Sequence, residues 1–461
     1  LGGLSKKSSL LQKLAISSDV LKIDAGTLFF DDKLSSQPQR IPQAIITASA
    51  MMNAYNYMGY DAVAIGRQDL EAGVDALQNL ASKASFPFLS ANLFDKKGAL
   101  LFNPVAHIER AGMRIALIGL TGQANIPKTC SDTVKILPWQ EVLPQIIAQI
   151  AADSDLIIIL SNLTAPENRA IAKEIPNVHL IFQSGVSSQN MRPELINNTL
   201  ITHAGHDGKY QGQLTIHWTA AQKWQQDDRP LLALQNEYDR LGWFIDKVRK
   251  KGGPEVLYKE DAAKIAAFSQ KKARHDELAV QIKELSEGET SNPPPSATYN
   301  NHFHPLPPTL ADDATIIKML QESRKEANAV RRQTAETQKL NQYVGSSTCR
   351  SCHEAIYLAW AKTPHATSYQ TLKNQDQNNN LTCVYCHVTG LDEVTAYLAT
   401  SLPEPLKAVG CEVCHGPGKK HAADPSLNPS PTTPVSTLCL SCHTDERDDN
   451  FNLQHDVKKI H

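Results

Sequence analysis

Cys349-Arg350-Ser351-Cys352-His353, Cys383-Val384-Tyr385-Cys386-His387, Cys411-Glu412-Val413-Cys414-His415 and Cys439-Leu440-Ser441-Cys442-His443 repeat one five-residue pattern four times. They hold eight of the nine cysteines, and Cys130 stands alone. Cys-x-x-Cys-His is the attachment pattern of c-type haem. Each thiol adds to one haem vinyl group as a thioether. The two intervening residues set the sulfurs at the vinyl spacing, and the adjacent His offers an axial imidazole to iron. Zinc sites, dithiol redox motifs and disulfides also use paired cysteines. None of them needs a His directly after the second Cys. The pattern therefore implies four covalently bound haem c groups, held by Cys349, Cys352, Cys383, Cys386, Cys411, Cys414, Cys439 and Cys442, with His353, His387, His415 and His443 as proximal ligands.

Electron-carrying haems usually need a second axial ligand, and neutral imidazole is a good one. Between residues 343 and 461 the histidines outside the motifs are His365, His421, His455 and His461, and no Met is present. Four spare histidines match four irons. If all four ligate, every iron is six-coordinate and suited to carrying electrons rather than binding substrate. Further upstream, His302-Phe303-His304 lies in a Pro-rich stretch and offers another imidazole to a haem of this chain or of a neighbour.

The motif region is rich in Pro, Asn, Asp and Gly and shows little periodicity. Such a stretch buries too few apolar side chains to offset the entropy of ordering its backbone. The haems are expected to supply its core, packed closely enough to form a continuous electron path.

The rest of the chain reads differently. Of 461 residues 41% are hydrophobic and 20% charged, with a net charge of -2, which gives no footprint for nucleic-acid binding. No run approaches the ~18 apolar residues of a membrane span. The chain begins at Leu1 without Met, as a processed or partial product would. Over residues 1–220 strands and helices alternate. Strands are predicted near 21–26, 62–66, 86–91, 156–160, 179–182, 200–203 and 212–218. A hairpin is predicted at 105–110 and 114–119, and helices at 41–59, 69–83, 139–152 and 166–174. Leu156-Ile157-Ile158-Ile159-Leu160 fits a strand buried on both faces. This alternation argues an α/β domain with a mixed sheet. Residues 221–342 read as a helical connector, with helices near 258–286 and 311–340 joined by a loop containing Asn292-Pro293-Pro294-Pro295 and Pro305-Leu306-Pro307-Pro308.

Two resemblances follow. Residues 343–461 resemble the tetrahaem cytochrome c family of ammonia-oxidising bacteria. The likeness rests on Tyr343-Val344-Gly345, Thr363-Pro364-His365-Ala366, Cys386-His387-Val388-Thr389-Gly390, Gly410-Cys411-Glu412-Val413-Cys414-His415-Gly416-Pro417-Gly418 with His421, and Lys459-Ile460-His461. It implies that His365 and His421 are distal ligands and that His461 matches a late ligand, whereas His455 has no clear counterpart. Some relatives keep one haem five-coordinate. Residues 1–220 resemble the metallophosphoesterase domain of periplasmic 5′-nucleotidases. That likeness rests on Ile23-Asp24-Ala25-Gly26, Gly59-Tyr60-Asp61-Ala62-Val63-Ala64-Ile65-Gly66, Phe88-Leu89-Ser90-Ala91-Asn92-Leu93 and Ala204-Gly205-His206-Asp207-Gly208. Those enzymes hold two metal ions that activate water and stabilise the leaving oxygen.

In this sequence the family's ligand positions are changed. Asp-Ala-Gly-Asp reads Asp24-Ala25-Gly26-Thr27. Gly-Asn-His-Glu reads Gly66-Arg67-Gln68-Asp69, Ser-His reads Ser161-Asn162, and Gly-His-x-His reads Ser184-Gly185-Val186-Ser187. Only His203 and His206 survive nearby, so no dinuclear centre and no nucleotidase activity are expected. The family's nucleotide-binding second domain has no counterpart.

The implied fold is an α/β metallophosphoesterase-like sandwich over 1–220, the helical connector, then a loop-rich tetrahaem domain over 343–461. The implied function is electron transport by a multihaem cytochrome c, with the nucleotidase-like domain as scaffold. One alternative is an oxidoreductase with one open haem acting on a small nitrogen or sulfur compound. A second is a subunit of an electron-conducting cytochrome polymer, self-associating through His302 or His304. Redox proteins are the expected partners. Covalent haem attachment and the nucleotidase likeness both imply export to the bacterial periplasm or cell surface.

Overall fold

The computed structural model describes residues 3–14, 19–123, 126–185, 190–205, 208–224, 230–250, 252–258, 261–287, 296–330, 339–390, 402–427, 436–444, 448 and 451–459. These form two compact units, one of residues 1–35 and 48–319, the other of residues 36–47 and 320–461.

The first unit is built on two sheets. β1 (Ile23–Asp24), β2 (Ala62–Ala64) and β3 (Phe88–Leu89) pair in parallel. β4 (Leu93–Asp95) pairs with β7 (Val134–Ile136) as a small ribbon. The large sheet has the order β10-β11-β9-β8-β6-β5, from β5 (Val105–Arg110), β6 (Met113–Leu120), β8 (Leu156–Ser161), β9 (Leu180–Gln183), β10 (Met191–Ile196) and β11 (Thr199–His203). Its centre, β11-β9-β8-β6, is parallel, while β5 and β10 flank it antiparallel.

The period of two in the sequence decides what each face buries. Leu156, Ile158 and Leu160 of β8 join Ile115 and Leu117 of β6 against Ala62, Ala64 and Leu89 of the three-stranded sheet. Ile157 and Ile159 point the other way, with Ala116 and Ile118, onto Trp139, Leu143 and Ile147 of the helix Trp139–Ile150 and Ile171 of the helix Ala165–Glu174. A sheet-on-sheet sandwich with a helical layer outside it is the result. The predicted strand at 156–160, the hairpin and the helix at 139–152 are all present. β4, β7 and β10 went unpredicted because each is short or exposed on one side.

The stretch after residue 220 is less loop-like than its sequence suggests. β12 (Tyr210–His217) pairs along its full length with β13 (Thr298–Pro305), in the segment read as a Pro-rich loop. The period is visible in retrospect, since Tyr299, Asn301 and Phe303 are buried and alternate with less buried neighbours. The helix Pro230–Lys250, also unpredicted, packs against β13 and against the helix Ala262–Glu287. Ile245, Val248 and Phe268 form the seam between the two helices.

His302 and His304 stand on β13. The rings lie 4.1 Å apart, and His304 Nε2 is 2.6 Å from Gln213 Oε1 on β12. His302 Nε2 is 3.5 Å from Oδ2 of Asp239, a carboxyl only 5% exposed whose Oδ2 makes no hydrogen bond. Burial pushes Asp239 up to about 7, against the pull of the Phe303 N–H, and burial lowers His302. Tyr210 also faces this carboxyl, and burial raises Tyr210 to about 12, with the charge of Arg240 pulling against it. A carboxyl raised on folding contributes stability that is present below its unfolded value near 4 and is lost as pH rises through about 7. Asp239→Asn should remove this pH dependence and leave the variant more stable than the parent at pH 8. The gain should be roughly 1–3 kcal/mol, less than the full shift because His302 can share the charge. Denaturant unfolding followed by far-UV circular dichroism at pH 5 and pH 8 measures it; a variant with the parent's pH slope would contradict it.

From Ser346 to Asp456 the second unit is made of short helices, none longer than seven residues among the described residues. Helices this short do not persist alone in water. The sequence led us to expect no side-chain core here, yet a small one forms: Leu340, Tyr369, Leu372, Leu381, Val384, Val388, Leu402 and Leu406 are buried together. Residues 36–47 add to this unit. Gln43 donates to Asn379 O (3.0 Å) and accepts from Leu381 N (3.2 Å), and Arg40 donates to Thr382 Oγ1 (2.7 Å). These contacts brace the backbone just ahead of Cys383.

Candidate haem-binding site

Motifs one, three and four are α-helical turns, and motif two is a tighter turn in which the His387 N–H donates to Val384 O at 2.9 Å. The N–H of His353 donates to Cys349 O, and the N–H of His443 to Cys439 O, both at 2.9 Å, while Cys411–His415 is itself a helix. Positions i, i+3 and i+4 of such a turn share one face. The two thiols and the imidazole of each motif are thereby presented together, as attachment to one ring system requires. No helix signal marks these five-residue stretches. The Cys-x-x-Cys-His spacing itself is the helical spacing.

Imidazoles from outside the motifs face those inside. The rings of His353 and His421 have centres 6.2 Å apart and are inclined by 22°, and those of His443 and His365 are 6.0 Å apart at 67°. An imidazole nitrogen sits about 2.0–2.1 Å from a first-row metal ion, and the ring centre lies roughly 1.1 Å further out. Two imidazoles on opposite sides of one ion therefore have centres about 6.2–6.4 Å apart. Both pairs are spaced for a shared iron, so these residues fit the group that the motifs imply.

The other ring nitrogens agree. A ligating His ordinarily has its second nitrogen held by a carbonyl or carboxylate, which fixes the tautomer and frees Nε2. His387 Nδ1 meets Ser368 O at 2.8 Å, His421 Nδ1 meets Leu427 O at 2.5 Å, and His443 Nδ1 meets Asp448 Oδ2 at 2.8 Å. In each case Nε2 is the nitrogen left for a metal. These orienting partners were not legible beforehand, because two of the three are backbone carbonyls. Burial, and then the charge of His443, lower the pKa of His365 and so favour its neutral, ligating form.

His455 behaves otherwise. Its side chain is 69% exposed, and its Nδ1 lies 3.0 Å from Asp456 Oδ1. It pairs with no motif histidine among the described residues. His461 lies outside them. His302 and His304 belong to the β12–β13 ribbon of the first unit.

The motifs also meet one another. The thiols of Cys349 and Cys411 are within hydrogen-bonding reach, as are those of Cys386 and Cys442. Motif one thus lies against motif three, and motif two against motif four. Among the described residues no three His, Cys, Asp or Glu side chains converge to hold a bare metal ion, whereas a structural zinc site needs four ligands.

In the first unit the loops after β1, β2, β8 and β9 come together. Asp69 accepts four backbone N–H groups at 2.8 Å, from Gly66, Thr27, Leu28 and Phe29. That carboxylate clamps two loops so closely that a Cβ at Gly66 would fall 2.5 Å from Thr27 N. Thr27 itself is held at φ 66°, an unfavourable conformation for a β-branched residue. Where the loops converge, Asn162 Nδ2 donates to Thr27 Oγ1 (2.8 Å) and Ser184 Oγ (3.3 Å), and Asn162 Oδ1 accepts from Arg67 N (2.7 Å). Ser184 Oγ donates to Ala25 O at 2.8 Å. The Arg67 guanidinium turns to Glu71, 3.4 Å away. The changed positions therefore bond to each other. His203, nearby at the end of β11, is buried and lies 3.2 Å from Gln183 Nε2 through its Nδ1. Cys130 is buried, and its thiol donates to Leu70 O at 3.1 Å.

Residues 348–416 match the protein family described as cytochrome c554 and c-prime. They are a cytochrome c554-like segment. The sequence is 33% identical over 97 residues to cytochrome c-554 of Nitrosomonas europaea, which covers 18% of this chain and 41% of that protein. It is 46% identical over 191 residues to a 5′-nucleotidase of Vibrio parahaemolyticus, covering 34% of each. Among solved structures, the 5′-nucleotidase precursor from Thermus thermophilus aligns over 75% of this chain and 55% of that one, with 16% identity and a TM-score of 0.46. The chain thus spans less than half the length of either curated relative. It joins a region similar to cytochrome c554 to one similar to 5′-nucleotidases. Among the described residues no helix is long and apolar enough to cross a membrane.

Proposed function

We propose that the second unit binds four haem c groups and relays electrons between redox proteins outside the cytoplasm, and that the nucleotidase-like unit has lost its metal centre and serves as a scaffold. The spacing of His353–His421 and His365–His443, each an imidazole pair set for one iron, carries this reading. Bound haem c supplies a reversible one-electron couple. The protein's part is to hold each group by two thioethers, from Cys349 and Cys352, Cys383 and Cys386, Cys411 and Cys414, and Cys439 and Cys442. His353, His387, His415 and His443 would hold the irons from the motif side, and His421 and His365 would hold those of His353 and His443 from the other. With two imidazoles each, those two groups would leave no place for substrate or water and would suit electron transfer. The contacts of motif one with three and of two with four support a chain of neighbouring groups.

The scaffold role is supported by the chemistry of the converging loops. Thr27, Asn162 and Ser184 bond to one another, and Arg67 adds only its backbone N–H, so the converging loops offer neutral groups where a dication would need carboxylates and imidazoles. It is supported also by residues 36–47, which lie in the nucleotidase-like stretch of sequence yet bond to Asn379, Leu381 and Thr382, just ahead of Cys383.

A pyridine haemochrome assay on the exported protein should give four haems per chain, with a dominant low-spin ferric spectrum. Fewer than three haems, or a phosphatase activity that depends on added divalent metal, would overturn the proposal. The exposure of His455 favours one alternative, an oxidoreductase in which a single haem keeps an open face. A high-spin fraction of about one haem in four that binds cyanide or nitric oxide would mark that case.

A further inference from the structure

Glu412 lies inside the third motif, between the two cysteines, at a position for which the attachment pattern requires no particular residue. It is 4% exposed. Its carboxylate has no ion-pair partner among the described residues and is held by backbone N–H groups alone. Oε2 accepts from Gly345 N at 2.7 Å and Val344 N at 3.1 Å. Oε1 accepts from Gly418 N at 2.7 Å and Val344 N at 3.0 Å. Burying a carboxylate is costly unless such bonds compensate. An apolar side chain at this site would have been the simpler solution.

What the carboxylate joins gives it a role. Val344 and Gly345 lead directly into the helix Ser346–Cys349, which opens motif one and ends on His353. Gly418 leads directly into the helix Lys419–Ala423, which carries His421. One side chain therefore ties the backbone that sets His353 to the backbone that sets His421, the two rings whose centres are 6.2 Å apart. A second strut runs the same way, from Cys411 N to Ser346 Oγ at 3.1 Å. The approach at Gly418 is close, since a Cβ there would lie 3.1 Å from Glu412 Oε1.

We propose that Glu412 is the positioning residue for the His353–His421 pair, fixing the distal imidazole opposite the proximal one and holding that haem at low potential. This rests on the haem reading above. The geometric part follows from the shared hydrogen bonds. The electrostatic part follows from an unneutralised negative charge buried beside the site, which favours the oxidised, more positive iron over the reduced one.

Glu412→Gln keeps the size of the side chain. Its amide puts an NH₂ against backbone donors on one side and removes the charge. In redox titrations of the full-length holoprotein followed optically and by EPR, one midpoint should move to higher potential while the others stay. Part of one low-spin signal should become high-spin, and the pyridine haemochrome count should remain that of the parent. Gly418→Ala, which crowds Oε1 without touching the charge, should weaken the same low-spin signal but move the midpoint less. In a His421→Ala background the spin-state effect of Glu412→Gln should vanish. Unchanged midpoints and unchanged spin state in Glu412→Gln would overturn the proposal. If Glu412→Gln fails to accumulate, an unaltered low-spin spectrum in Gly418→Ala overturns it instead. A parent protein lacking the low-spin haems would refute the underlying electron-relay reading, whereas a normal parent with an indifferent variant would refute only the role of Glu412.

Discussion

Produced where haem cannot be attached, the chain should keep the fold of its first unit and lose that of residues 339–459. The first unit closes its own core, with β6 and β8 buried on both faces. Among the described residues the second has eight apolar side chains buried together, and its helices from Ser346 onward are too short to persist unaided. Ordering its backbone costs on the order of 1–2 kcal/mol per residue, far beyond what that cluster returns. Hydrogen exchange read by mass spectrometry separates the two. Peptides from β6, β8 and β9 should stay protected for hours, and those spanning the four motifs should exchange within seconds. Native-like protection of the motif peptides without haem would show that side chains suffice and would contradict the haem-core argument.

Removing one distal imidazole should have the next largest effect. His421→Ala and His365→Ala should each turn one haem from low-spin to high-spin, about a quarter of the ferric signal. His455→Ala, at an exposed residue tied to Asp456, should leave the spectrum unchanged. Added imidazole should restore the low-spin form in the first two variants. A high-spin conversion in His455→Ala would instead make that residue the missing ligand and disfavour an open haem. EPR of the three oxidised variants beside the parent decides between these outcomes.

Much of this was legible in sequence, for identifiable reasons. Spacing rules are local, so Cys-x-x-Cys-His and the apolar run at 156–160 could be read directly. His365 and His421 stood among four spare histidines and were singled out by the cytochrome resemblance; each lies about 6 Å from a motif histidine, ring centre to ring centre. β13 was missed because two prolines follow it and its pattern is carried by Asn301 as well as Tyr299 and Phe303. Glu412 was missed for a deeper reason. Two of its three partners are backbone amides 67 and 68 residues earlier in the chain, the third is the Gly418 amide, and amides carry no sequence identity. Likewise, nothing in residues 36–47 announces that they pack with a segment more than 300 residues away.

The mutual bonding of Thr27, Asn162 and Ser184 has a historical consequence. Replace any one of the three alone and a hydrogen bond of the set is lost, at a cost of about 0.5–1.5 kcal/mol, although Ser184 also holds Ala25 O and Asn162 also holds the Arg67 N–H. If, as proposed, this unit descends from a metal-binding one, single steps back toward Asp or His at these positions give up such a bond before any metal could reward them. Interlocked substitutions of this kind would act as a ratchet, making retreat to an earlier chemistry harder than departure from it.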